Sequence, residues 1–287
     1  MRFSISDNTQ RLERNKILKG SSGDGTVMYS FFTSLPASTV GTICGIGGGV
    51  IIKPVLDMLY LETALTINFL SGCTVLSMSF YSGTRSLTKG DSGVDVRTGT
   101  PMAIGAALGG LAGKQLFDLV RSLFEDQGMV GAVQAGCLGV ITLGTLAYTV
   151  NKSRIRTHKV TAPAVCAAIG LALGVMSSFL GIGGGPINLV VLYFFFSMDA
   201  KTAASNRLYI ILFSQLASLL TTLFTHTVPP FRWPVLLVMV GGGIGGGIVG
   251  RMLNKRIDNK LVEQLFIGLM GLIVVICVYN VWRGLSG

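Results

Sequence analysis

Long apolar stretches, separated by short polar and mostly cationic segments, run from about residue 26 to about residue 282. They predict helices at about 26–45, 50–61, 64–83, 99–117, 129–150, 161–180, 186–197, 203–225, 232–250 and 261–282. Most approach the roughly 20 apolar residues needed to cross a hydrocarbon core about 30 Å thick. Two pieces, 50–61 and 186–197, are too short to cross, and each follows the same pentamer. Gly45-Ile46-Gly47-Gly48-Gly49 precedes the first and Gly181-Ile182-Gly183-Gly184-Gly185 the second. Lipid offers backbone groups no hydrogen-bond partner, so a spanning segment is normally an unbroken helix. Each glycine costs a helix about 1 kcal/mol relative to alanine. The pentamer, used twice, therefore predicts two discontinuous helices.

The repetition extends beyond the pentamers. Gly45 and Gly181 lie 136 positions apart. The run Gly109-Gly110-Leu111-Ala112-Gly113-Lys114 matches Gly246-Gly247-Ile248-Val249-Gly250-Arg251 at an offset of 137. Gly136-Cys137-Leu138-Gly139 matches Gly268-Leu269-Met270-Gly271 at 132, and Ser71-Gly72 can be set against Ser205-Asn206 at 134. A duplicated membrane half is the usual build of a secondary transporter, with the site at the repeat interface near mid-membrane. The expected fold is all-α: a polytopic membrane protein of two homologous halves, favoured as five plus five inverted segments. The expected divisions are a polar cytoplasmic tail at 1–25, a first transmembrane repeat at 26–150, a basic connecting loop at 151–160 and a second repeat at 161–287. No signal-peptide pattern is visible in the tail.

Charge changes the picture only in part. Half of the residues are hydrophobic and 13% are charged, against roughly a quarter charged in soluble domains. The net charge of +10 lies in segments between apolar runs, as in loops near an anionic leaflet. A basic face with interleaved aromatics is absent, so no nucleic-acid partner is expected. Five cations in the tail favour that end inside. If each break is a hairpin, 251–260 is expected inside and 151–160 outside; if each break interrupts one crossing, the two exchange. The five cysteines are scattered through apolar runs without metal-ligand spacing. No metal, cofactor or catalytic residue is expected. The two histidines fall in loops, and the glycines at 241–250, although they match a dinucleotide pattern formally, lie inside a membrane run where helix packing is the better account.

The breaks themselves carry the candidate chemistry. A helix N-terminus has unpaired N–H groups and about half a positive charge, enough to bind an anion without a charged side chain. Gly47, Gly48 and Gly49, with Gly183, Gly184 and Gly185, are the candidate backbone donors. Pro186 suits a first helical position. Lys53 lies one turn past Gly49, with Asp57 placed to pair with it on the same face. Intramembrane charges default to function, so Lys53 is a candidate for attracting the anion and Asp57 for carrying a proton. Asn68, Ser71, Thr74, Ser205 and Asn206 are candidate polar lining. The plainer account of each is also open: glycines for packing in a chain with 39 of them, a self-neutralising Lys53–Asp57 pair, and hydroxyls bonding across helices.

The paired GIGGG motifs, the prolines that follow them (Pro54 and Pro186) and the "GGLAGK" and "GGIVGR" runs resemble the sulfite exporter TauE/SafE family, also called TSUP, over most of residues 26–283. The family's usual "TS" after the first break is replaced here by Leu70-Ser71-Gly72. The resemblance implies an integral membrane protein built by duplication that transports anionic sulfur compounds or other small organic anions. The expected function is then secondary transport of sulfite, an organosulfonate or a related oxyanion across the cell membrane. One half would rock against the other in alternating access. An anion channel, or a scaffold or enzyme subunit whose glycines serve packing, are the other classes. The expected partners are the anion and the bilayer; a homodimer is compatible with the sequence.

Overall fold

A computed structural model describes residues 23–59, 63–88, 95–123, 127–152, 155–182 and 185–286. Gly183 and Gly184, and most of the tail, lie outside the described residues. Ten helices are described: α1 (Gly23–Cys44), α2 (Gly49–Leu59), α3 (Ala64–Thr88), α4 (Val96–Leu123), α5 (Gln127–Asn151), α6 (Pro163–Leu180), α7 (Ile187–Phe196), α8 (Ala200–Phe224), α9 (Trp233–Arg256) and α10 (Asn259–Ser286). Among the described residues there is no strand. Five of the helices are long and apolar enough to cross a membrane. Several helices outrun their apolar runs by a turn, because polar residues at membrane edges are still good helix formers.

The GIGGG pentamer works first as a stop. Gly45 is left-handed at φ +67°, a conformation that costs glycine nothing. Its N–H reaches Thr42 O at 3.3 Å, and the Ile46 N–H reaches Gly41 O at 2.8 Å, the pairing that closes a helix C-terminus. Ile46 is then fully buried, and Gly47 turns the chain again at φ +77°. The returning backbone lies against α1 so closely that a β-carbon on Gly41 would stand 2.7 Å from Gly48 N. Gly181 ends α6 in the same way, at φ +64° with its N–H on Ser178 O at 3.1 Å. Buried Ile182 follows it, as Ile46 follows Gly45.

Both breaks therefore form hairpins. Asn280 Nδ2 bonds Pro54 O at 3.2 Å and Arg283 Nη1 bonds Met58 O at 2.9 Å, tying the far end of α2 to the last turns of α10. α7 instead ends beside residues 158–160, whose backbone bonds Phe194 O and Phe195 O at 2.7 and 2.9 Å. The first hairpin thus opens at the end of the bundle where α1 begins, here the proximal end. The second opens at the other, the distal end.

One orientation expectation is corrected here. The basic segments 151–160 and 251–260 lie at the same end, not at opposite ones. Lys152 pairs with Glu263, and Asn259 bonds Asp199 at 2.8 Å across the same face. A hairpin returns to the end it started from and adds no net crossing, so the full crossings alone decide the parity. α1 begins at the proximal end, opposite both basic loops.

The densest packing also joins the N-terminal half of the chain, before residue 151, to the C-terminal half. α4 lies on α6, where a β-carbon on Gly109 would collide with Leu171 O, and one on Gly174 with Ala106 O. α1 lies on α9, where Gly246 faces Ser38 and Leu35 O. Small residues let backbones meet where apolar burial gives helices no drive to associate.

Candidate functional site

The two turns meet inside the bundle. Gly49, which opens α2, lies against Ile182 of the second break. A β-carbon there would run into Ile182 O and stand 2.8 Å from Ser71 Oγ. Gly45 lies on the backbone of Ala204 in α8, and Gly181 on the side chain of Asn68 in α3. Glycine is required at these three places, by contact in each and by positive φ at Gly45 and Gly181 as well. The N–H groups of Gly47, Gly48 and Gly49 donate to no described residue, whereas Ile51 and Ile52 already bond Gly48 O at 3.0 and 2.9 Å. The start of α2 therefore offers unspent donors near the meeting point, Gly49 against Ile182 and Gly48 N against Gly41 of α1.

Lys53, 3% exposed, sits one turn farther along. Its ammonium donates to Asn68 Oδ1 at 2.5 Å and Gln134 Oε1 at 2.8 Å, and lies 3.7 Å from Asp57. Gln134 Nε2 donates to Phe179 O at 2.6 Å, just before the second break. Lys53 thus links both hairpins through two amides, and the expected pairing with Asp57 is present but longer than its amide contacts. Ser71 is fully buried with no partner for its hydroxyl among the described residues.

Ser205 and Asn206 lie near the start of α8. Asn206 Oδ1 accepts from Asp95 N–H at 3.0 Å and its Nδ2 donates to Thr202 O at 2.9 Å, so its amide fastens the start of α4 to α8. The next residue, Arg207, is the one that reaches the breaks. It is 0% exposed. Its Nη2 donates to Gly185 O at 2.8 Å, its Nη1 to Cys44 O at 3.4 Å, and its Nε has no partner among the described residues. No sequence pattern singles out Arg207, which follows Ser205 and Asn206 in a polar stretch. The signal available was the Asp199 cap: Asp199 accepts from Thr202 N–H at 3.1 Å, which starts α8 at Ala200 and carries Arg207 two turns into the helix.

Two cavities approach this centre from opposite ends. The larger, about 810 Å³, opens at the proximal end between Thr63, Asp118 and Pro230 and reaches inward to Asn68, Ser177 and Gly181. Lys114 stands in it, held by Thr222 and Thr227 at 3.0 and 2.9 Å. The smaller, about 20 Å³, has room for about one water; it lies under the Lys152–Glu263 pair and ends at Cys44, Leu189 and Phe266. Among the described residues, the wide approach to the centre is the proximal one, and the distal one is narrow.

Two buried helix breaks in contact, beneath a polar cavity in a bundle of membrane-spanning helices, have the layout of a polytopic protein that handles a small solute. Residues 30–277 match the sulfite exporter TauE/SafE family, and the chain belongs to it. This is a family of membrane transporters. Among curated proteins, the chain is similar to the "Probable membrane transporter protein YunE" of Bacillus subtilis (strain 168), at 27% identity over 254 residues, which cover 80% of this chain and 89% of that protein. No solved structure matches significantly.

Proposed function

We propose that this protein is a secondary transporter of a small anion, sulfite or an organosulfonate, working by alternating access across the cell membrane. The observation that supports this best is the contact between the two breaks, where Gly49 at the opening of α2 lies against Ile182, next to N–H groups of Gly47, Gly48 and Gly49 that donate to no described residue. An oxyanion there would accept those bonds at the positive end of α2. Gly183, Gly184 and Gly185 are proposed to add donors from the second break, Ser71 a hydroxyl from beside Gly49, and Ser205 a hydroxyl from α8. Lys53 would draw the anion inward, with Asp57 as the proton carrier of a coupled step. The opposed hairpins support an inverted pair of repeats. The narrow distal approach favours a carrier over a channel, which needs a path open at both ends.

The test is thermal unfolding of the purified protein against sulfite, thiosulfate, sulfate, taurine, sulfoacetate and lactate, followed by exchange flux in proteoliposomes for any that stabilise it. A saturable exchange of at least one sulfur anion is expected. Stabilisation by none would end the proposal, and flux that rises linearly with concentration would replace the carrier by a channel.

A further inference from the structure

We propose that Arg207 is the anion-recognising side chain of this centre, and that the centre is matched to a single negative charge. The inference rests on the anion-carrier reading above and makes it sharper.

Arg207 is a permanently charged group with no accessible surface, and no carboxylate lies within ion-pair distance of it among the described residues. Burying an ion costs several kcal/mol even after relaxation, and buried cations are normally paired. Here two backbone carbonyls, Cys44 O and Gly185 O, supply only partial charge. The guanidinium has five N–H donors. Two are used on those carbonyls, and the Nε–H is unspent in a fully buried place. Nε and a neighbouring Nη form a planar fork that suits two oxygens of one anion.

The position supports the same role. Cys44 and Gly185 are the flanks of the two breaks, so one side chain ties both hairpin tips together. Cys44 also borders the small distal cavity, while Gly181, a few residues before Gly185, borders the large proximal one. Arg207 therefore stands at the barrier between the two approaches. An anion arriving there would take over donors that now hold carbonyl oxygens, which loosens the tie between the tips at the moment of binding.

Charge counting sets the preference. Lys53 is offset by Asp57 at 3.7 Å, and Lys152 by Glu263 at the distal mouth. That leaves Arg207 as the uncompensated charge at the breaks among the described residues. One negative charge neutralises it; a doubly charged oxyanion would leave a buried surplus.

The test compares methanesulfonate, which carries one charge, with sulfate and thiosulfate, which carry two, in titrations of the purified full chain followed by thermal unfolding. Wild type is expected to bind methanesulfonate at least tenfold more tightly than sulfate. Arg207→Gln is expected to weaken methanesulfonate binding by about 30-fold or more and to erase the preference; Arg207→Lys should keep the preference at lower affinity. A purely structural Arg207 would alter the melting temperature of the variants without changing the ratio of the two affinities. Methanesulfonate binding by folded Arg207→Gln at the wild-type level would overturn the proposal, as would a wild-type preference for sulfate. If Arg207→Gln does not fold, the wild-type ratio and Arg207→Lys decide, with unchanged affinity in Arg207→Lys counting against the fork. A wild type that binds none of the anions defeats the carrier reading itself, whereas binding without the charge preference defeats only the role of Arg207.

Discussion

Gly49→Ala isolates the meeting of the two breaks. The new β-carbon would overlap Ile182 O, stand 2.8 Å from Ser71 Oγ and lie 2.9 Å from the Ile182 carbonyl carbon, where ordinary contact begins at 3.4 Å. Two of these atoms belong to backbone, so a rotamer change does not relieve the clash. The hairpin tips must part by more than half an ångström: the 2.9 Å contact alone falls short of 3.4 Å by that much, and Ile182 O lies closer still. Overpacking of this kind costs about 1–3 kcal/mol, and alanine returns up to about 1 kcal/mol as the better helix former. The net change in stability is then about 0–3 kcal/mol, small enough for the variant to fold. The site suffers more, because a binding constellation tolerates only about 0.5 Å of displacement. Exchange flux in proteoliposomes should fall about tenfold or more at matched protein density. Gly144→Ala is the control: nothing lies within 4 Å of its would-be β-carbon, so the same chemical change should leave flux intact and the melting temperature equal or higher. Equal flux from the two variants would show that the contact between the breaks plays no part in transport.

Glu263→Gln should loosen the distal mouth by removing the charge opposite Lys152; in a background retaining Cys44 as the sole cysteine, maleimide labelling of that thiol should rise several-fold, and an unchanged rate would mean that the pair does not guard the small cavity. Gln134→Ala removes the amide between Lys53 and Phe179 O and leaves a buried carbonyl and ammonium short of partners, a cost of about 1–3 kcal/mol; a lower melting temperature with a raised KM for transport is expected, and a silent variant would disconnect Lys53 from the second hairpin. Asp199→Ala should destabilise by about 1 kcal/mol through loss of the α8 cap. Partial burial raises the Asp199 pKa, but bonds from Thr202 and Asn259 outweigh it and hold the carboxyl below its ordinary range. A depressed folded pKa contributes stability above the unfolded value, near 3.9, and that contribution fades as pH falls through the folded value. The wild-type minus Asp199→Ala difference in melting temperature should therefore shrink toward strongly acidic pH, and a difference that stays flat would remove the carboxylate from the cap.

Much of this architecture is readable from spacing alone. Apolar runs of membrane length place the helices, and a repeated glycine pentamer places the interruptions, because left-handed turns and touching backbones both demand glycine. The path of the chain between the ends was harder to read. Cations at 151–160 and 251–260 look alike wherever they fall, and only the return of each hairpin puts them together. Arg207 was obscured by its neighbours Lys201, Ser205 and Asn206, which make the start of α8 look like a surface turn. Its depth depends on where the Asp199 cap begins the helix. The link from Lys53 through Gln134 to Phe179 joins residues far apart in the chain, and no local pattern announces such a meeting.

The glycine seams carry a consequence for motion. α4 is locked to α6, and α1 to α9, by backbone running on backbone, and each pair takes one member from each half of the chain. Sliding such surfaces would lift carbonyls out of slots that only a hydrogen atom fits. The two halves of the chain are therefore stitched to each other, and the pieces held more sparsely are the short arms α2 and α7 with the α5–α10 pair. Chain order and packing divide this molecule along different lines.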